Sequence, residues 1–239
     1  MNSIIEKDHL SVLIVDDEPF QRRIVREVLR NLGFVKTKDA DSGELAIAKM
    51  REQRFNLVLS DVQMPGMNGL ELLRQIRIGQ TKLPRDTRFV ILTSFSNTEV
   101  LGAAMALDVN GFLAKPIRIG VVLEKIDRAV QEIFHLRAED EYKSVETNLP
   151  SLERAQRESA AALARDVLAF GINEKIIPLM QLGVGMRVTK SVYAADGTLL
   201  ISAGTVLTRL FINRLWDLSS VLTDELVHIA HVRGEQSLR

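Results

Sequence analysis

Cysteine is absent from the 239 residues, which excludes disulfide staples, thiolate zinc sites and cysteine nucleophiles and fits a reducing cytosol. Net charge is absent too. Lysine and arginine total 31 against 31 aspartates and glutamates, so no global field draws the chain to nucleic acid or to an anionic membrane. No run of eighteen apolar residues occurs, and the opening MNSIIEKDHL lacks a basic patch followed by an apolar stretch. Secretion and membrane spanning are disfavoured on that ground, and the expected location is the cytoplasm. A Walker loop, a nucleophile elbow and a zinc-protease helix are also missing. What the chain does have is 46% hydrophobic residues, enough to build a real core.

Between residues 12 and 115 short apolar runs alternate with amphipathic stretches, the pattern of a parallel sheet covered by helices on both faces. The runs lie at 12–15, 57–59 and 89–92, with weaker candidates at Phe34-Val35 and 111–113. Helical periodicity falls at about 19–32, 43–53, 68–78 and 97–107, and a fifth helix begins after Pro116, a residue suited to a first helical turn. The expected fold is α/β, a doubly wound (βα)₅ parallel sheet. Ile119, Val122, Ile126, Ala129, Ile133 and Leu136 keep a three-four spacing, which predicts a long fifth helix and, through it, a homodimer seam. The expected organisation is 1–135 for the first domain, 136–175 for a helical linker, and 176–239 for a smaller α+β domain.

In open parallel sheets the chemistry gathers beyond the carboxyl ends of the strands. The residues there are Asp16 and Asp17 after the first strand, Asp61 after the third, Thr93 and Ser94 after the fourth, and Lys115 after the fifth. Three carboxylates brought together repel one another and shift each other's pKa. A hard divalent cation resolves that conflict, and Mg²⁺ suits an open cluster of carboxylate, carbonyl and water ligands. Phosphoryl transfer to a carboxylate requires a nucleophile, a metal and fixed donors for the remaining oxygens. Asp61 can be the nucleophile, Lys115 the cation and Thr93 a hydroxyl donor.

The strings LIVDDE (13–18), SDVQMPGMNG (60–69), ILTS (91–94) and GFLAKP (111–116), in this order, resemble the receiver domain of two-component response regulators over about residues 10–135. The resemblance implies a phosphoprotein that takes its phosphoryl group on Asp61 from a sensor histidine kinase. It implies Asp17 as direct metal ligand, Asp16 as a ligand largely through water, and the backbone carbonyl of Gln63 as another. It also implies that Lys115 pairs with the phosphate across a cis Lys115–Pro116 bond, and that Thr93 and Phe112 form the switch. Phe112 lacks the hydroxyl of the tyrosine many relatives carry, Ser94 stands where they often have a smaller residue, and the 79–88 loop is long.

The second half opens with a helical pattern from Ser151 to Phe170. Strand patterns follow at 186–193 and 198–202 around Ala194-Ala195-Asp196-Gly197, then a helix at 208–216 and a last strand near 226–232; the four-residue break is a hairpin signal. The strings GVGMRV (183–188) and AGTVLT (203–208) resemble the small β-rich segment that often precedes HD-GYP phosphodiesterase domains, although the chain carries no His-Asp pair and no Gly-Tyr-Pro string. No dedicated enzymatic output is expected. His228 and His231, three apart on a strand, fall on opposite faces and make poor metal ligands. Trp216 shares an apolar helix face with Phe211, Ile212 and Leu215, which places it in a core. The favoured output is a protein-interaction module that binds a downstream signalling protein. A DNA-binding regulator is disfavoured by the neutral charge and the lack of a basic recognition helix. A cyclic-di-GMP-linked output rests on analogy alone.

Overall fold

The computed structural model describes residues 7–93, 98–117, 119–133, 135–152, 174–193, 199–201, 205–217 and 226–230. The chain divides into two compact units, Met1–Leu152 and Glu153–Arg239.

In the first unit the strands are β1 (Ser11–Val15), β2 (Lys36–Ala40), β3 (Leu57–Asp61), β4 (Arg88–Thr93) and β5 (Gly111–Ala114). They form one parallel sheet in the order β2-β1-β3-β4-β5. The helices between them are α1 (Pro19–Asn31), α2 (Gly43–Glu52), α3 (Gly69–Arg77), α4 (Thr98–Ala106) and α5 (Ile119–Gln131). Strand apolarity follows burial: Val12 to Val15 and Leu57 to Leu59 are fully enclosed, as strands covered on both faces must be. Val12, Ile14, Leu59 and Leu92 pack with Val25 and Leu29 of α1 and Ile126 of α5 in one core. Pro19 opens α1, Ser42 accepts from Leu45 N at the start of α2, and Asn68 accepts from Glu71 N at the start of α3, so each helix begins where its cap residue stands.

The second strand is displaced from its expected position. It is the polar KTKDA of β2, while Phe34 is buried before it and Val35 is 65% exposed. An edge strand pairs on one side only, so its composition carries little apolar signal.

The long fifth helix does not form. α5 ends at Gln131, Ile133 is 84% exposed, Leu136 lies outside any helix, and Phe134 falls outside the described residues. The cause lies in the Arg88 guanidinium, which donates to the carbonyls of Glu132 (2.7 Å) and Val130 (3.5 Å). A cation satisfying the last helical carbonyls stops the helix there.

Beyond α5 the chain turns back on its own unit. Arg137 Nε binds Asp108 Oδ2 at 3.1 Å and Arg137 Nη2 donates to the Ala106 carbonyl. A short helix, α6 (Glu139–Lys143), buries Tyr142, whose hydroxyl donates to Asp108 Oδ2 at 2.7 Å and accepts from Arg137 N at 2.9 Å. The guanidiniums of Arg137 and Arg85 lie 4.9 and 5.8 Å from the Tyr142 ring centre, within cation–π range. Residues 136–152, expected to open a linker, thus belong to the first unit.

In the second unit β6 (Glu174–Pro178) pairs antiparallel with β9 (Leu226–Ala230), and β7 (Val192–Tyr193) with β8 (Leu199–Ile201). Among the described residues a helix, α7 (Arg209–Asp217), starts after Thr208, whose hydroxyl accepts from Phe211 N. Ile177, Val188, Ile212, Leu215, Val227 and Ile229 are buried. Trp216 donates its indole N–H to the Leu179 carbonyl at 3.1 Å, a core role with a satisfied polar edge. β6, a five-residue EKIIP, had no period-two signal strong enough to be read from sequence. The expected hairpin turn at 194–197, most of the 151–170 helix, and His231 lie outside the described residues.

Candidate functional site

β1 and β3 are neighbours at the centre of the sheet, so their carboxyl ends release Asp16, Asp17 and Asp61 side by side. Each of the three offers a carboxylate oxygen, and these oxygens lie within 4.8 Å of one another. Asp16 is fully buried, and Asp17 and Asp61 are half-buried. Asp16 Oδ1 accepts from Glu18 N at 2.9 Å, and its carbonyl accepts from Arg22 Nη1 at 2.5 Å, which fixes the carboxylate at the entry to α1. Asp61 Oδ1 accepts from Val62 N at 2.7 Å.

Lys115, one residue past β5, brings its ammonium within 2.8 Å of Asp16 Oδ2 and 2.8 Å of Asp61 Oδ2. The Lys115–Pro116 peptide is cis, as the resemblance implies. Burial raises the Asp61 carboxyl above its usual range; hydrogen bonding and charge from Lys115 oppose that rise and Asp16 adds to it. Burial alone pulls Lys115 down, but its bonds to Asp16 and Asp61 outweigh that and leave it raised. The ammonium is a single positive charge among three carboxylates, which leaves the cluster two positive charges short of balance. Such a cluster is suited to a divalent ion such as Mg²⁺.

Thr93 ends β4, 7% exposed, and its carbonyl accepts from Lys115 N at 2.7 Å. Phe112 stands on β5 opposite Ile91, with its ring enclosed. Gln63 lies exposed on the loop between β3 and α3. Ser94 is outside the described residues.

Several residues around the site were not singled out from sequence. Gly69 begins α3 against the end of β3, where a Cβ would stand 2.2 Å from the Asp61 carbonyl oxygen. Only glycine permits that approach. Glu44, in the first turn of α2, accepts from Met67 N at 2.9 Å, and a Cβ on Gly43 would meet the Met67 side chain at 2.7 Å. These contacts pin the 62–68 loop from outside. The Asn68-Gly69 pair was the one visible signal, since asparagine before glycine marks a cap or turn.

A family model described as the response regulator receiver domain matches residues 12–127. The chemotaxis protein CheY-3 of Vibrio cholerae is 35% identical over 133 residues, covering 56% of this chain and 100% of that protein. The chain belongs to the response regulator receiver family. The chemotaxis protein CheY of Pseudomonas aeruginosa is 34% identical over 124 residues, 52% of this chain and 98% of the relative. A crystal structure of Vibrio cholerae CheY4 has 30% identity and a TM-score of 0.46, covering 50% of this chain and 98% of that one. This response regulator therefore acts in two-component signalling, where receiver domains interact with histidine kinases and bind Mg²⁺ in the acidic pocket. The family match ends at residue 127.

Proposed function

We propose that this response regulator accepts a phosphoryl group on Asp61 from a sensor histidine kinase and relays that state through its C-terminal half to a downstream signalling protein. One observation carries the reading: the Lys115 ammonium lies 2.8 Å from both Asp16 and Asp61, inside a set of three carboxylates whose oxygens approach within 4.8 Å.

In this reading Asp61 is the nucleophile, because it stands at a strand end where an in-line phosphodonor can reach it. Asp16, Asp17, Asp61 and the Gln63 carbonyl hold the metal. A Mg²⁺ ion held there would supply positive charge for the phosphoryl oxygens. Lys115 exchanges its Asp61 contact for a phosphoryl oxygen, and the Thr93 hydroxyl donates to another. Phe112, with no hydroxyl, takes part in the switch by packing alone. Its ring is already enclosed in this structure, so activation here rests more on Thr93 and on the β3–α3 loop than on inward movement of the aromatic ring.

The C-terminal α+β unit is the output. Its support is its own small buried core, Ile177, Val188, Ile212, Leu215, Val227 and Ile229. Incubating the chain with radiolabelled acetyl phosphate tests the acceptor. Label should enter the wild type with Mg²⁺ and be lost with chelator or with Asp61→Asn. Label persisting on that variant refutes the assignment.

A further inference from the structure

The segment from Arg137 to Asn148 lies outside the family match and outside the expected first domain, yet it ends at the acceptor site's own helix. Thr147, 4% exposed, donates its hydroxyl to Glu71 Oε2 at 2.8 Å, and its carbonyl accepts from Asn68 Nδ2 at 2.8 Å. Arg74 Nη1 donates to the neighbouring Val145 carbonyl at 3.1 Å. At its other end the strap is held by Tyr142 and Arg137 on Asp108, and by Arg85 of the long 79–88 loop, which donates to the Arg137 carbonyl at 3.0 Å.

Asn68 is the N-cap of α3. Gly69, its neighbour, donates to the Val62 carbonyl at 3.0 Å and packs directly on the Asp61 backbone. A continuous path of contacts thus runs from Asp61 through Gly69 and Asn68 to Thr147. Thr147 stands shortly before Leu152, where the first unit ends.

We infer that this strap is a working part of the receiver, with Thr147 as a positioning residue that couples order in the β3–α3 loop to order in the segment leading toward the C-terminal half. The inference rests on the acceptor reading of Asp61. Its sign follows from entropy. Closing the strap orders Asn68 and the loop behind it, and filling the acceptor site with metal and a phosphoryl group orders the same loop. Two events that order one element favour each other, because the second has less freedom left to remove. The coupling is reciprocal, so each event strengthens the other by the same factor.

The test uses the full chain, Mg²⁺ and beryllofluoride as phosphoryl mimic. Hydrogen exchange over residues 141–152 should slow by about five- to tenfold when the mimic binds, the lower range of measured coupling factors. Thr147→Val, which keeps shape and loses the hydroxyl, should weaken mimic binding by a similar factor, and Thr147→Ser should restore it. Asn68→Ser keeps a cap acceptor but loses the amide donor to Thr147, and should reproduce the Thr147→Val defect. Unchanged exchange in 141–152 with the mimic bound, or Thr147→Val binding it as wild type does, overturns the coupling and leaves the acceptor reading standing. A wild-type chain that binds no mimic and takes no phosphoryl group overturns both.

Discussion

Lys115 holds Asp61 at 2.8 Å while touching Asp16 at the same distance, so one ammonium bridges the carboxyl ends of β1 and β3. A divalent ion on the same carboxylates would meet that ammonium as a competing cation. Lys115→Ala should therefore leave Mg²⁺ half-saturation equal to or lower than in wild type, because a competing cation is gone. The same variant should lose most of the beryllofluoride response, having no cation for the phosphoryl oxygens. Parallel titrations followed by nuclear magnetic resonance check both halves.

Burial holds the Asp61 carboxyl above its ordinary pKa of 3.8. An acid whose folded pKa exceeds its unfolded one binds more protons when folded, so stability falls as pH rises through that window and the deficit persists above it. Without metal, Asp61→Asn removes the cost of the buried charge. The variant should be at least as stable as wild type at pH 7, and its advantage should shrink as pH falls toward the unfolded value. Chelated samples compared by thermal melting across that range decide it; an advantage that grows toward acid contradicts the sign.

Gly69→Ala places a methyl 2.2 Å from the Asp61 carbonyl oxygen, backbone that cannot yield cheaply. The expected cost is about 1–3 kcal/mol, typical of overpacking, accompanied by weaker Mg²⁺ binding because the end of β3 must shift. Urea unfolding and metal titration of one preparation read both effects.

Arg77 is fully buried and donates to the carbonyls of Leu107, Arg85, Thr87 and Asp108 and to Asn110 Oδ1. Burial pushes its guanidinium down to about 10, still charged at neutral pH. Arg77→Met would remove the donor that these five acceptors share and should destabilise the first unit by about 3–5 kcal/mol, the scale for breaking a buried charged network. Urea denaturation measures it, and a loss under 1 kcal/mol contradicts the hub role.

The gathering of the candidate site residues was legible because they stand at strand ends. Asp16, Asp17, Asp61 and Lys115 follow apolar runs that are strong signals in sequence, and the parallel topology brings them together. What escaped is held by contacts between elements distant in the chain. Arg88 stops α5 through carbonyls more than forty residues away, so a three-four apolar spacing kept its period without keeping its helix. Ile133 and Leu136 keep the apolar spacing but lie beyond the last helical residue, Gln131. The strap has a polar composition, AEDEYKSVETN (138–148), and reads as a linker; its attachment depends on Tyr142 and Thr147 finding Asp108, Glu71 and Asn68, pairings no local pattern announces. β2 was shifted for a related reason, since an edge strand needs few apolar residues.

Peptide mapping after borohydride reduction identifies the phosphorylated side chain, because that reagent converts an aspartyl phosphate to homoserine. On the chain phosphorylated by acetyl phosphate with Mg²⁺, the account predicts homoserine at position 61. Homoserine at position 16 or 17, or at none of the three, contradicts it.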